Sequence, residues 1–267
     1  MTLITTLDKA WTAFWKNKRY LILTVLMDFL FLFAMVQIHW FYFIPSAEAM
    51  MKVGEQMTSA MQGLPETELV DLNAVLINNP EFMQAYKNLL TNIVLFFLSL
   101  LGAWLVFKTF SWYLSHKSIY KKIPLAIFAY KFILLSLLWF VVLVATIFAF
   151  LGLTRQQPLP IISQTTSSII LFALIAVVAY FANISFALIP AQQTLKKTFT
   201  LGTKHAKKIV PAYIVNLLLL FVGISLPITI ITKHSLIALA IILIFTLPAL
   251  AFARINIIIA TWLQKSS

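Results

Sequence analysis

The sequence predicts an all-α polytopic membrane bundle: six transmembrane helices in three hairpins, each hairpin preceded by a basic and aromatic helix at the cytoplasmic interface. Three observations predict it. First, 61% of the 267 residues are hydrophobic and 10% are charged, against about 25% charged in soluble domains. Second, Lys and Arg fall almost entirely between alternate apolar runs. Third, a short segment recurs ahead of three of those runs. It reads Lys9-Ala10-Trp11 leading to Lys18-Arg19, then Lys108-Thr109-Phe110 leading to Lys121-Lys122, then Lys197-Thr198-Phe199 leading to Lys207-Lys208.

Taken in order, the apolar spans cover about 20–44, 88–114, 125–151, 165–190, 210–232 and 236–262, each near the roughly 20 residues that cross a hydrocarbon core. The first follows a basic start, and Ala47-Glu48-Ala49 has signal-peptidase spacing. The apolar run before it is longer than a cleaved h-region of about 7–15 residues, so it reads as a retained anchor. Residues 45–87 carry Glu48, Glu55, Glu66, Glu68, Asp71 and Glu81 and form an expected extracytoplasmic helical cap between the first two spans. Ser46 is placed to cap a helix ending near Gln62, Gly63-Leu64-Pro65 to stop it, and Leu69, Leu72 and Leu76 to line a second short helix. Asn79-Pro80-Glu81 is a helix start, from which the second span runs unbroken to about Leu114. Pro124 and Pro211 fall where the third and fifth spans open, and Pro227 and Pro248 interrupt the last two.

An even number of spans puts both termini on one side. That side holds Lys9, Lys16, Lys18, Arg19, Lys108, Lys117, Lys121, Lys122, Lys196, Lys197, Lys204, Lys207, Lys208 and Lys265, and the opposite loops only Lys52, Lys87, Arg155 and Lys233. The bias places both termini in the cytoplasm and the chain in the cell membrane. The net charge of +12 therefore follows the bilayer rather than a nucleic acid. With no cysteine, disulfides, thiolate metal sites and a cysteine nucleophile are excluded.

The recurring segment combines rings that bury partway with ammonium groups that reach phosphate. Trp11, Lys18, Arg19, Lys108, Phe110, Lys121, Lys122, Lys197, Phe199, Lys207 and Lys208 are the expected lipid contacts, and anionic headgroups the expected partners. Phe110 and Phe199 each precede a histidine, His116 and His205, by six residues, and Asn17 holds that place after Trp11. The chain then divides into repeats 7–106, 107–194 and 195–267 within one integral membrane domain, unless basic, aromatic inner loops alone account for the pattern. The stretch Thr194-Leu195-Lys196-Lys197-Thr198-Phe199 to Lys207-Lys208-Ile209-Val210-Pro211, with the helix after it, resembles prokaryotic six-span membrane families. Among these is the membrane domain attached to some glycerophosphodiester phosphodiesterases. The resemblance implies a fold and carries over no catalytic residue.

Ionisable groups inside spans are functional candidates. Asp28 lies nine residues past Arg19, roughly 13 Å along a helix. Lys131 and Arg254 fall at similar depth, and Asn216 follows Phe199 by seventeen residues, as Asp28 follows Trp11. Asp28, Lys131, Asn183, Asn216, Arg254 and Asn256 form an expected intramembrane polar layer. It serves as interhelical glue, as a proton or ion relay titrating at Asp28, or as a headgroup site at Lys131 and Arg254. His116 and His205 are expected to make solvated contacts, and a copper site at His39 and the outer methionines is set below simple packing. No zinc-protease helix, serine elbow, phosphate loop or dinucleotide fingerprint is present, so no cofactor and no catalytic residue are expected. Two functions follow: a non-catalytic structural, scaffold or biogenesis component, alone, with protein partners or as a homo-oligomer, or a small transporter or permease subunit built on the Asp28 layer.

Overall fold

The structure, a computed structural model, describes residues 3–62, 78–120, 124–155, 164–231 and 235–265, and all regular structure among them is helical. Six helical segments are long and apolar enough to cross a membrane: Lys18–Met61, Pro80–Ile119, Leu125–Phe150, Thr166–Ala187, Ala206–Gly223 and Ala238–Trp262. The protein is thus a multi-pass, membrane-embedded helical bundle. It divides into two compact units, one of residues 30–106 and one joining 1–29 to 107–267.

The smaller unit is a helical hairpin. It contains the end of α2 (Lys18–Ile38), a π-helical turn (His39–Phe43), α3 (Ile44–Gln62) and α4 (Pro80–Ala103). Asn79 caps α4 as expected, its side chain accepting from the backbone N–H groups of Glu81 and Phe82 at 3.0 and 3.1 Å. The two arms are tied by Gln56, which donates to Glu81 (3.1 Å) and accepts from Asn79 (3.2 Å). Ser46 does not cap a new helix. The helix passes through it unbroken, and its hydroxyl donates back to the Tyr42 carbonyl at 2.6 Å, so over 44–62 the expected cap is the continuation of the first long helix. The π turn has a cause in Pro45, which lacks an N–H and whose ring would strike the Phe41 carbonyl four residues back. Widening the helix at that carbonyl removes the clash. The same spacing recurs at Pro248, four residues after Ile244 in the π turn Ile242–Thr246. The expected Leu69–Leu76 helix and the Gly63-Leu64-Pro65 stop lie outside the described residues.

The larger unit holds α1 (Leu3–Lys16), the start of α2, α5 (Thr109–Ile119), α6 (Leu125–Arg155), α7 (Gln164–Ala187), α8 (Thr194–Lys204), α9 (Ala206–Ile231), α10 (Ser235–Ile241) and α11 (Leu247–Lys265). Helix α11 packs against α1, α5, α7 and α9. One core gathers Phe128 and Phe132 of α6, Ile184 and Ala187 of α7, the following Leu188 and Ile189, Ile209 of α9, and Ile257 and Ile258 of α11. A second joins Ala10 and Phe14 of α1 to Ala251, Ile255 and Ile259 of α11. Both stripes follow the four-residue spacing of one helix face.

The buried end of α7 and the turn that follows it present carbonyls beyond the regular helical ladder, and side chains from three other helices supply donors. His116 of α5 pairs with the Phe186 carbonyl at 2.9 Å, and Trp262 of α11 donates to Ala187 at 2.9 Å. Lys131 of α6 donates to Ile189 and Ala191 at 3.2 and 3.3 Å. A carbonyl only accepts, so Nε2 of His116 carries its proton. His116 is fully buried, correcting the expectation of a solvated interfacial histidine.

The three recurring segments share a burial pattern. The residue before each aromatic, Ala10, Thr109 or Thr198, is buried, and so is the third residue after it, Phe14, Tyr113 or Gly202. The aromatics themselves stay exposed: Trp11 56%, Phe110 39% and Phe199 51%. In the first and third copies the next helix opens alike, with the Asn17 and His205 carbonyls each accepting from the residues three and four ahead. The second copy differs, because α5 is joined to α4 through a π turn (Trp104–Lys108) and most of its residues are buried.

Candidate polar site at membrane depth

Asp28 follows Leu21 and Val25 on one face of α2 and is fully buried. Around it α5 and the π turn before it present Lys108, Ser111 and Ser115 at three- and four-residue spacing, which places them on one helix face. Helix α11 adds Arg254. Lys108 Nζ lies 2.9 Å from Oδ1 of Asp28, Ser111 Oγ donates to the same oxygen at 3.1 Å, and Arg254 Nη1 reaches it at 3.3 Å. Arg254 Nη2 donates to Oδ2. The guanidinium thus closes a two-pronged pair with the carboxylate, the strongest geometry available to these groups. Its Nε is held 3.4 Å from Ser115 Oγ, and Ser115 donates to the Ser111 carbonyl at 2.8 Å. Lys108 and Arg254 are each 7% exposed.

Lys108 was expected at the lipid interface, and the structure corrects this: its ammonium is drawn into the bundle. A lysine snorkels when water is its best partner, but a buried carboxylate within hydrogen-bond reach is a better one. Ser111 and Ser115 were missed. The only sign of them was their three- and seven-residue spacing from Lys108, which carries meaning only once the partner of Asp28 is known.

The rest of the expected layer divides into local arrangements. Asn216 of α9 donates to the Ala253 carbonyl of α11 at 2.9 Å, and Asn256 donates to Asn216 Oδ1 and the Ala212 carbonyl at 2.8 and 3.3 Å. Asn216 and Asp28 sit at matching positions of the repeat, and both engage α11, at neighbouring residues. Lys131 serves the end of α7, and Asn183 donates within its own helix to Ala179 at 2.8 Å. The six residues are not one hydrogen-bonded network.

Of the expected lipid contacts besides the aromatics, Lys18, Arg19, Lys207 and Lys208 are exposed and Lys197 is half-buried. Phe199 lies 5.3 Å from Phe181 and 6.3 Å from Trp139, centroid to centroid. Lys121 and Lys122 lie outside the described residues.

No protein-family model, no curated protein and no solved structure matches the chain.

Proposed function

We propose that this protein is a non-catalytic structural, scaffold or biogenesis component of the cell membrane, with both termini cytoplasmic, acting through contacts with lipids and protein partners. The observation that carries this reading is the internal satisfaction of Asp28. Its carboxylate is wholly buried and takes donors from Lys108, Ser111 and Arg254, tying α2, α5 and α11 together. A transported solute or relayed proton needs a path to such a group; among the described residues, two pockets, the apolar groove beside α1 and α2 and the polar cleft of the hairpin, are lined by other side chains than Asp28, Lys108 and Arg254. The concentration of Lys and Arg on one side supports this orientation.

The test is purification of the full chain from native membranes after in-cell crosslinking, alongside flux assays in proteoliposomes. The scaffold reading expects a reproducible stoichiometric protein partner and no solute or proton flux above that of empty vesicles. Flux that Asp28→Asn abolishes while the protein stays folded would establish the permease reading instead.

A further inference from the structure

Between α1, the start of α2, α9, the π turn Ile242–Thr246 and α11 runs a groove of about 550 Å³. Its walls are Trp11, Trp15, Ile22, Val25, Phe245 and Phe252, joined by other apolar side chains, and none of its lining residues is charged. Ile22 is 66% and Ile244 79% exposed, so the groove is open along one side. Trp11 and Trp15 meet edge to face at 5.5 Å, and Trp11 and Phe14 close on Phe252 at 6.2 and 5.7 Å. The groove therefore has an aromatic end.

What lies beside that end is charged. Lys16, Lys18 and Arg19 are exposed at the α1–α2 junction. Lys18 sits three and four residues before Leu21 and Ile22, and Arg19 three before Ile22, so both cations stand one turn from the groove wall. An apolar trough that ends in tryptophans and then in cations has the order of a phospholipid: chain, interface, phosphate. Size decides against a helix. A helix about 10–12 Å across rising 5.4 Å per turn would fit little more than one turn into this space, whereas volumes of about 300–1,000 Å³ suit small ligands.

We propose that this groove holds one acyl chain of an anionic phospholipid, whose phosphate is bound by Lys18 and Arg19. The assignment rests on the lipid-contact part of the proposed function and names its lipid class. Each cation near a membrane surface favours an anionic headgroup by about five-fold, so the pair sets a preference of about ten-fold or more over a zwitterionic lipid.

The experiment uses the full-length protein in phosphatidylcholine vesicles, titrated with phosphatidylglycerol or phosphatidylcholine carrying brominated acyl chains, which quench nearby tryptophan. The groove signal is the part of the quenching absent from the Trp11→Phe/Trp15→Phe variant. The expected result is saturable quenching with about ten-fold or more preference for phosphatidylglycerol. Lys18→Gln/Arg19→Gln removes the preference while leaving chain contact, and Ile22→Phe, which fills the groove from an exposed position without adding a tryptophan, weakens quenching by both lipids. All three sets of changes lie at exposed residues, and circular dichroism checks that helix content is kept. Equal quenching by both lipids in the unaltered protein, or no effect of Ile22→Phe, overturns the proposal. So does a photo-crosslinker at Ile22 that joins to a polypeptide while the groove tryptophans remain unquenched. Any of these results leaves the stoichiometric partner expected of a scaffold untouched, so the two readings fail separately.

Discussion

At the scale of single residues, two kinds of polar contact hold the larger unit, and their strengths differ. Asp28→Asn leaves Lys108 and Arg254 facing each other without a carboxylate, and removing one member of a buried ion cluster costs about 3–5 kcal/mol. We expect a loss of that size in reversible unfolding from mixed detergent micelles. Replacing all three together, Asp28→Leu with Lys108→Met and Arg254→Met, should recover most of it, since the desolvation cost of the charges disappears with them. If the triple variant is as unstable as Asp28→Asn, the triad is not the cause. Asn256→Ala removes hydrogen bonds between α9 and α11 and should cost only about 1 kcal/mol, the usual value for an interhelical polar contact in a membrane. Asp28 and Arg254 could be singled out from sequence because charges inside apolar runs are rare. Lys108 could not be assigned in the same way. Its sequence neighbourhood is that of Lys9 and Lys197, and only packing separates a lysine that reaches water from one that reaches Asp28.

At the scale of helices, close approach sets the tolerance for substitution. A Cβ at Gly202 would lie 2.7 Å from Phe181 Cε1 and 3.3 Å from Ile184 Cδ1, and the Tyr180 hydroxyl donates to the Gly202 carbonyl at 3.0 Å. Gly202→Ala should therefore destabilise by about 1–3 kcal/mol through overpacking of α7 on α8. Gly102→Ala in α4, with nothing within 4 Å, should be neutral or stabilising by up to about 1 kcal/mol. Thermal unfolding of the two variants in one detergent compares them directly. The helical elements were legible from apolar run length and from the Asn79 cap. The π turns were not: proline announced a defect at Pro248, but whether a helix kinks, ends or widens depends on how neighbours hold the preceding carbonyl. Ser46 misled for a related reason. Its hydroxyl caps an N–H only where a helix begins, and here the helix was already under way.

At the scale of the whole molecule, the concentration of Lys and Arg in alternate connections underlies a proposed orientation that chemistry can test. The chain has no cysteine, so single substitutions report accessibility without background. Glu55→Cys should react with a membrane-impermeant maleimide on intact cells, and Lys207→Cys only after permeabilisation; the reverse pattern would invert the proposed topology. The threefold segment was readable as sequence, and the aromatic, the residue before it and the third residue after it share their burial in all three copies, yet only the first and third end in the same helix break. What sequence could not convey is that α5, although it bears the repeat, is buried within the unit rather than laid along its edge.

The triad also has an order in time. Its members are separated by up to 226 positions, and a ribosome adding about 5–20 residues per second delivers Asp28, then Lys108, then Arg254 over roughly ten to fifty seconds. The nascent first helix thus enters the membrane with an uncompensated acid, gains one counter-charge with the second, and reaches its final pairing only when the last helix is made. Synthesis interrupted before Arg254 yields a chain in which Asp28 has Lys108 and Ser111 as partners but lacks the guanidinium that closes the clasp.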